Sequence, residues 1–285
     1  MLCAGVLVLG GVAAGASRSL SSPANVDSVA ERLRGPQRAL LVSDSAWLGI
    51  KTYGAVDSVQ GFHHTLDLGS CRRRVEPSCR NYDGHVPITL ADEIRWRGSG
   101  THDTLIVATG YNDSDFNFRD DVATIVGLAR GFDYERVVWL TLRSNVTYRS
   151  PGDAGFAKVF GNNNAALADL AGSDEYPDLI VADWASYARD RGDWFARDGI
   201  HLRGAGPWAA GDYISRKIAH LDGRPCPQPI APGGALADPC PDPDVTGVVA
   251  DVAAVYPVTA RCGVEPFAME WDGQSSWPSP PCWAG

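Results

Sequence analysis

Four short apolar runs, separated by segments with helical periodicity, constrain the fold of this chain more than any other feature of its sequence. The runs cover residues 39–42, 103–109, 136–142 and 178–183. Apolar runs of this length are typical of strands that are buried on both faces of a parallel sheet. Parallel neighbours need crossover connections, and the segments between the runs are long enough to supply these as helices.

The intervening segments complete the pattern of an α/β fold. A weaker strand is predicted over residues 62–68, and helices are predicted over residues 89–96, 118–130, 156–170 and 204–221. Strands and helices that alternate in this way predict a three-layer α/β/α sandwich with about five parallel strands.

The two ends of the chain differ in composition from this region. Residues 1–22 contain an apolar segment and then a serine-rich stretch, as a secretory signal peptide does; a short membrane anchor is the alternative, but ~13 apolar residues are too few to span a bilayer. Residues 37–222 would form the main domain. The Pro-rich residues 223–243 are typical of a linker. The Cys- and Trp-containing residues 244–285 would form a small disulfide-stapled unit, with one or two strands over residues 244–256. We therefore expect a secreted or cell-envelope protein.

The cysteines support an oxidising compartment. Once Cys3 is removed with the leader, an even set of six remains. The six are Cys71, Cys79, Cys226, Cys240, Cys262 and Cys282. The first two are close enough to close a local loop, whereas the last four allow three pairings among which the sequence does not choose. Zinc is the alternative, but neither a Cys-x-x-Cys pair nor a His-Glu-x-x-His helix occurs, so we expect disulfides, no metal and no cofactor.

The charge of the chain limits its partners. A formal net charge of -9 argues against a nucleic-acid partner, which would require a basic face. The run Arg72-Arg73-Arg74 is the main basic cluster, and such runs are typical of a solvated loop face. We expect a monomer.

Polar residues follow the first strand, where open α/β sheets place their chemistry. Ser45, in the block Ser43-Asp44-Ser45, is a candidate nucleophile, although Ser and Asp at this place also cap helices. A serine becomes a nucleophile only beside a base. In Asp198-Gly199-Ile200-His201, the spacing lets Asp198 accept a hydrogen bond from one imidazole nitrogen of His201 while the other faces the serine.

A third polar block follows the strand at residues 103–109. In Gly110-Tyr111-Asn112-Asp113, the amide of Asn112 is a donor that can face a developing oxyanion. The same four residues also suit an ordinary turn.

Together the three blocks resemble the SGNH or GDSL hydrolase family over roughly residues 37–221, with Ser43 in place of the first glycine of the Gly-Asp-Ser block. The resemblance implies a flavodoxin-like sandwich, with Ser45 as nucleophile, His201 as general base and then acid, and Asp198 as its orienting carboxylate. It also implies an oxyanion hole formed by the Ser45 backbone N–H, the Asn112 side chain and a backbone N–H from a glycine block. Gly69 is the candidate for that glycine, with the Ser70 N–H as the alternative. No Gly-x-Ser-x-Gly elbow of the α/β-hydrolase type occurs.

The predicted function is a secreted serine ester hydrolase that cleaves short-chain or acetyl esters through an acyl-enzyme, on a small-molecule or polymer-linked ester. One alternative is acyl transfer to a cell-envelope sugar, since an alcohol can replace water in resolving the same acyl-enzyme. The other is a non-catalytic surface protein that binds glycans through its Trp-rich tail.

Overall fold

A five-stranded parallel sheet lies at the centre of the fold in a computed structural model that describes residues 38–81, 84–146, 154–227 and 239–246. The strands run in the order β2-β1-β3-β4-β5 and are β1 Arg38–Ser43, β2 His63–Leu68, β3 Thr104–Ala108, β4 Arg136–Leu140 and β5 Leu179–Ala182. In this order the winding reverses between β1 and β3, and a crevice opens there at the carboxyl ends of the strands.

The position of β1 between two hydrophobic cores explains why its sequence is apolar from Ala39 to Val42. Every residue of β1 after Arg38 is buried. Ala39 and Leu41 belong to the core on one face of the sheet, and Leu40 and Val42 belong to the core on the other face. Because successive side chains of a strand point to opposite faces, a strand between two cores needs no polar positions.

Helices cover both faces of the sheet. Their bounds are α1 Gly49–Thr52, α2 Leu90–Arg97, α3 Phe118–Gly131, α4 Ala154–Ala171, α5 Trp184–Tyr187, α6 Gly206–Leu221 and α7 Pro243–Thr246. Residues of α1, α5 and α6 belong to the first core, and residues of α2, α3 and α4 belong to the second. The predicted three-layer α/β/α sandwich is confirmed. None of the helices in the described ranges is long and apolar enough to cross a membrane.

The disulfides are settled within the described residues. Cys71 pairs with Cys79, and Cys226 pairs with Cys240. Cys262 and Cys282 lie outside the described residues, as do the leader and the tryptophans of the tail.

The segment after Cys240 packs on α6. The buried Lys217 ammonium donates to Asp242 at 2.9 Å and to Asp244 at 2.6 Å, and the Tyr213 hydroxyl donates to Asp244 at 2.5 Å. The strand expected from Asp244 onward begins instead as the helical turn α7, because these carboxylates are held by a buried ammonium and a hydroxyl of α6. Residues 247–256, which the same prediction covered, are not described.

Gly211 in α6 packs closely against Ser58, and this contact leads to a prediction about stability. A Cβ at Gly211 would lie 1.9 Å from the Ser58 Oγ and 3.0 Å from the Ser58 carbonyl carbon, whereas a Cβ at Gly127 in α3 would meet nothing within 4 Å. We expect Gly211→Ala to lower the free energy of unfolding by about 1–3 kcal/mol, since overpacking against a backbone outweighs helix propensity.

The matched control for this change is Gly127→Ala. It should raise the free energy of unfolding by about 0.5–1 kcal/mol, because only the gain in helix propensity applies. Urea unfolding of both variants measures the difference. A stabilised Gly211→Ala variant would contradict the packing described for α6.

Candidate active site

The turn after β1 presents Ser45. Ser45 begins a one-turn 3-10 helix, Ser45–Trp47, and Asp44 caps that helix by accepting a hydrogen bond from the Ala46 N–H at 2.9 Å. The capping role that the sequence allowed for this block therefore belongs to Asp44. The side chain of Ser45 is half-buried and lies against His201.

Asp44 also joins this turn to the block after β3. Its second carboxylate oxygen accepts from the Gly110 N–H at 3.0 Å and from the Tyr111 N–H at 2.9 Å. Burial raises the pKa of Asp44, and the three backbone N–H donors and the charge of His201 only partly offset that rise. Asp44 was not assigned this role from the sequence, because its partners are 66 and 67 residues away.

Gly110 needs to be glycine where the two blocks meet. Its φ is +144°, and a Cβ there would lie 3.0 Å from Leu142 Cδ1 and 3.3 Å from the Arg74 guanidinium. A side chain at this position would be strained and crowded at the same time. The glycine therefore lets the Gly110–Tyr111 backbone approach Asp44.

A chain of hydrogen bonds joins Asp198, His201 and Ser45. Asp198 Oδ2 lies 2.7 Å from His201 Nδ1, and His201 Nε2 lies 3.0 Å from Ser45 Oγ. The other carboxylate oxygen of Asp198 accepts from the Ile200 N–H at 2.9 Å and from the His201 N–H at 3.1 Å. With its Nδ1 proton donated to Asp198, the imidazole presents Nε2 as an acceptor for the serine hydroxyl.

The loop that carries Asp198 and His201 is tied to the turn that carries Ser45 by backbone contacts. Phe195 and Leu202 form an antiparallel bridge at its base, and the Leu202 N–H donates to the Ala46 carbonyl at 3.1 Å. Ala46 follows Ser45 directly, so this main-chain hydrogen bond ties the end of the loop to the residue next to the serine.

The electrostatics of the pair favour a charged imidazole. Burial lowers the pKa of His201, but the hydrogen bond and the charge of Asp198, with the charge of Asp44, outweigh burial and raise that pKa above its ordinary value. For Asp198, burial raises the pKa, while the hydrogen bonds from His201 and Ile200 and the charge of His201 outweigh it and lower that pKa.

The predicted oxyanion donors differ in whether their N–H groups already have an acceptor. Asn112 is half-buried, and its Nδ2 donates one hydrogen bond, at 3.2 Å, to the Arg72 carbonyl, which leaves its second N–H for another acceptor. The Gly69 N–H donates to the Ser43 carbonyl at 3.1 Å and so continues the ladder between β1 and β2. Within the described ranges, the N–H groups of Ser45 and Ser70 have no acceptor.

The arginine run does not form a solvated loop face, so that prediction is wrong for two of its members. Arg72 is 3% exposed and binds both carboxylate oxygens of Asp67, at 2.8 and 3.0 Å. Arg74 is fully buried, donates to Asp121 at 2.9 Å and lies over the Phe118 ring at 4.6 Å. A run of like charges indicates solvent exposure only when its members have no acidic partners. The partners here, Asp67 and Asp121, lie outside the run.

Asp113, the last residue of the third block, is buried beside this arginine. Burial raises the pKa of Asp113 to about 6, although the Arg74 charge and the Arg74 backbone N–H, at 3.2 Å, act in the opposite direction. Arg74 thereby holds the end of the turn that carries Asn112.

A cavity with both polar and apolar lining residues opens at the carboxyl ends of β4 and β5. Its volume is about 540 Å³, and its polar lining includes Thr141, Ser144, Asn145, Asn164, Asp183 and Arg189. No group of three or more His, Cys, Asp or Glu side chains within the described part of the chain could hold a metal ion.

No family model matches the sequence, and no curated protein matches it either. Solved structures do match it. The C-terminal catalytic domain of peptidoglycan O-acetyltransferase A from Streptococcus pneumoniae is 16% identical over 62% of this chain and 87% of that chain, with a TM-score of 0.43. A GDSL-like lipase from Bacteroides thetaiotaomicron is 11% identical over 67% of this chain and 94% of that chain, with a TM-score of 0.47.

A variant of Axe2, an acetyl xylan esterase from Geobacillus stearothermophilus, is 10% identical over 64% of this chain and 94% of that chain, with a TM-score of 0.40. These are proteins to which the chain is similar. By its three sequence blocks, and by the five-stranded parallel sheet that carries them, the chain resembles the SGNH or GDSL hydrolases.

Proposed function

We propose that this protein is a serine ester hydrolase of the SGNH type that works through an acyl-enzyme. The observation that carries the proposal is the unbroken chain of hydrogen bonds from Asp198 through His201 to Ser45. A serine, an imidazole and a carboxylate in this order form the arrangement that makes a hydroxyl nucleophilic near neutral pH. Its place at the crevice between β1 and β3 is where a substrate can enter.

The proposed reaction has two halves. Ser45 Oγ attacks the ester carbonyl carbon while His201 Nε2 takes its proton. The tetrahedral intermediate then collapses, the bond to the alcohol oxygen breaks, and His201 returns the proton to the departing alcohol. Water, deprotonated by His201, attacks the acyl-Ser45 ester, and the acid is released with Ser45 restored. Asp198 stays ionised and stabilises the imidazolium in both halves.

The oxyanion is assigned to three donors. These are the backbone N–H of Ser45, the second N–H of the Asn112 amide and the backbone N–H of Ser70. Ser70 is preferred to Gly69 because the Gly69 N–H already donates to Ser43. Asn112 is held for this role by its bond to the Arg72 carbonyl, in the same loop as Ser70. Preorganised donors of this kind supply much of the rate of acyl transfer.

Removing the Asn112 amide tests this assignment. We expect Asn112→Ala to lower kcat about 100- to 1000-fold with little change in KM, because the donor acts on charge that develops in the transition state. Steady-state kinetics on a short-chain aryl ester measures both constants. Asn117→Ala is the control, since Asn117 lies in the same connection but bonds the exposed Glu76. A kcat within threefold of the parent would contradict the assignment of Asn112.

The pH dependence tests the base. His201 must be neutral to accept the serine proton, and its pKa is raised above the ordinary value by Asp198 and Asp44 despite the opposing effect of burial. We therefore expect kcat/KM to rise with pH along an acid limb whose midpoint lies above about 6.5. Replacing the exposed His63 with Gln should leave the limb unchanged. A midpoint below about 6 would contradict His201 as the base.

Secretion is part of the proposal. The disulfides Cys71–Cys79 and Cys226–Cys240 favour an oxidising compartment, in agreement with the signal-like leader. Fractionation of the native host for the full-length protein tests this. Recovery only from the reducing cytoplasm would contradict it.

Acyl transfer to a sugar is the second candidate. The cavity at β4 and β5 favours it, because the hydroxyl and amide groups of Ser144, Asn145 and Asn164 in its lining suit a hydroxylated acceptor. Incubation with p-nitrophenyl acetate and an unacetylated xylo-oligosaccharide separates the two reactions. Acetate release that is unaffected by the sugar supports hydrolysis, and acetylated sugar detected by mass spectrometry supports transfer. Glycan binding without turnover of any ester would favour the non-catalytic alternative.

A further inference from the structure

Arg143 contacts the loop that carries Asp198 and His201 but belongs to none of the three sequence blocks. It follows β4, is 4% exposed and donates from Nη1 to the Gly199 carbonyl at 2.8 Å. The same nitrogen donates to the Asn145 carbonyl. Gly199 lies between Asp198 and His201, so this contact falls in the middle of the turn that sets their spacing.

Two further contacts fix the arginine. Its guanidinium carbon lies 4.4 Å from the centroid of the Phe195 ring, at the base of the same loop. Its backbone N–H donates to the Tyr111 hydroxyl at 2.7 Å. Tyr111 in turn donates its own N–H to Asp44, next to Ser45. Arg143 therefore contacts both the imidazole-bearing loop and the block that is bonded to the nucleophile turn.

The local sequence is adapted to this arginine. Gly199 has a φ of +74°, and a Cβ there would lie 2.8 Å from Arg143 Nη1. Only glycine permits both the turn and the approach of the guanidinium. Within the described residues, no carboxylate lies within ion-pair distance of Arg143. Burying a guanidinium without an acidic partner costs free energy. Here two backbone carbonyls and the face of an aromatic ring offset part of that cost.

We propose that Arg143 is a positioning residue that holds the Asp198–His201 loop at the distance from which His201 reaches Ser45. This inference rests on the proposed function of the same site. It goes beyond the three sequence blocks, because it adds a residue that contacts neither the ester nor the nucleophile.

Arg143→Met tests the proposal, because methionine keeps the aliphatic volume and removes the guanidinium hydrogen bonds to Gly199 and Asn145 but keeps the backbone bond to Tyr111. We expect kcat to fall about 100-fold, the loss that a displacement of roughly 1 Å in a reacting group causes, with KM within about twofold of the parent. Rates are normalised to the end point of fluorophosphonate labelling, so that only folded enzyme is counted. Millimolar guanidinium chloride should restore part of the loss.

The pH profile separates positioning from a simple charge effect. The charged groups that act on His201 are Asp198, on its own loop, and Asp44, on the nucleophile turn. A looser Asp198 contact lowers the pKa of His201 and moves the acid limb of kcat/KM to lower pH. Loss of the Arg143 charge alone would move the limb to higher pH. A downward shift supports the proposal, and an upward shift overturns it.

Two more variants complete the test. Arg143→Lys keeps the positive charge but not the planar guanidinium group, so we expect a kcat between those of the parent and the Met variant. If the Met variant does not fold, a Lys variant with the parental kcat and the parental acid limb of kcat/KM overturns the proposal. Arg130→Met is the control, because Arg130 also lies over an aromatic ring, that of Tyr176, but bonds Asp178 just before β5. A normalised Arg143→Met kcat within twofold of the parent, with an unmoved limb, overturns the proposal. A parent that neither cleaves esters nor is labelled overturns the proposed function itself.

Discussion

Replacing Ser45 with alanine is expected to lower ester turnover at least about 10⁴-fold and to abolish covalent labelling by a fluorophosphonate. The Ser45 hydroxyl lies 3.0 Å from His201 Nε2, and the methyl side chain of alanine has no nucleophilic atom to replace it. The fold should be unaffected, because Oγ makes no other hydrogen bond within the described residues and Asp44 caps the turn without it. The measurements are steady-state hydrolysis of a short-chain aryl ester and intact-mass analysis after labelling.

The control for this change is Ser173→Ala. Ser173 lies just beyond the end of α4, and its hydroxyl donates only to the Leu170 carbonyl, so turnover and labelling should match those of the parent. Peptide mapping of the labelled parent should place the adduct on Ser45. An alanine variant that keeps a tenth of the parental activity, or an adduct on another serine, would contradict the proposed mechanism.

The sheet could be predicted from the sequence because its determinants are local. β1, β3, β4 and β5 lie between two cores, so each is a continuous apolar run. The ends of β1 and β3 were also predictable, because small polar residues stop those runs abruptly. The convergence of these ends on one edge follows from the parallel order of the strands.

The supporting residues could not be predicted, because their partners are distant in sequence. Arg74 pairs with Asp121, Asp44 binds the Gly110 turn, and Arg143 binds the Gly199 carbonyl. An arginine that bonds backbone carbonyls leaves no sequence pattern, since any residue supplies a carbonyl. A signal was present at Gly199, where a glycine between the predicted acid and base indicates a left-handed turn or a close approach.

The helical turn at Pro243–Thr246 was not predicted, for a related reason. Pro-rich segments are typical of linkers, but Cys240 and the two acids that follow it are held by Cys226 and by Lys217. A buried lysine inside an apolar helix was the available clue, because Lys is rarely buried without an acid.

Asp198→Asn is expected to lower kcat about 10⁴-fold while leaving the fold in place. The Asp198 Oδ1 accepts the N–H groups of Ile200 and His201, and an amide oxygen can keep both bonds. The amide NH₂ then faces His201 Nδ1, which must become an acceptor. The imidazole proton moves to Nε2, the nitrogen that should accept from Ser45, and the serine loses its base.

The same substitution also removes the charge that outweighs burial in raising the pKa of His201, so the acid limb of any residual activity should move to lower pH. Fluorophosphonate labelling should slow in parallel with kcat. Asp193→Asn is the matched control, because Asp193 lies a few residues before the loop in sequence but pairs with the partly exposed Arg191. An Asp198→Asn enzyme within tenfold of the parent would mean that another group orients the imidazole or that His201 is not the base. Either outcome would remove the hydrogen-bond chain as the origin of the reactivity of Ser45.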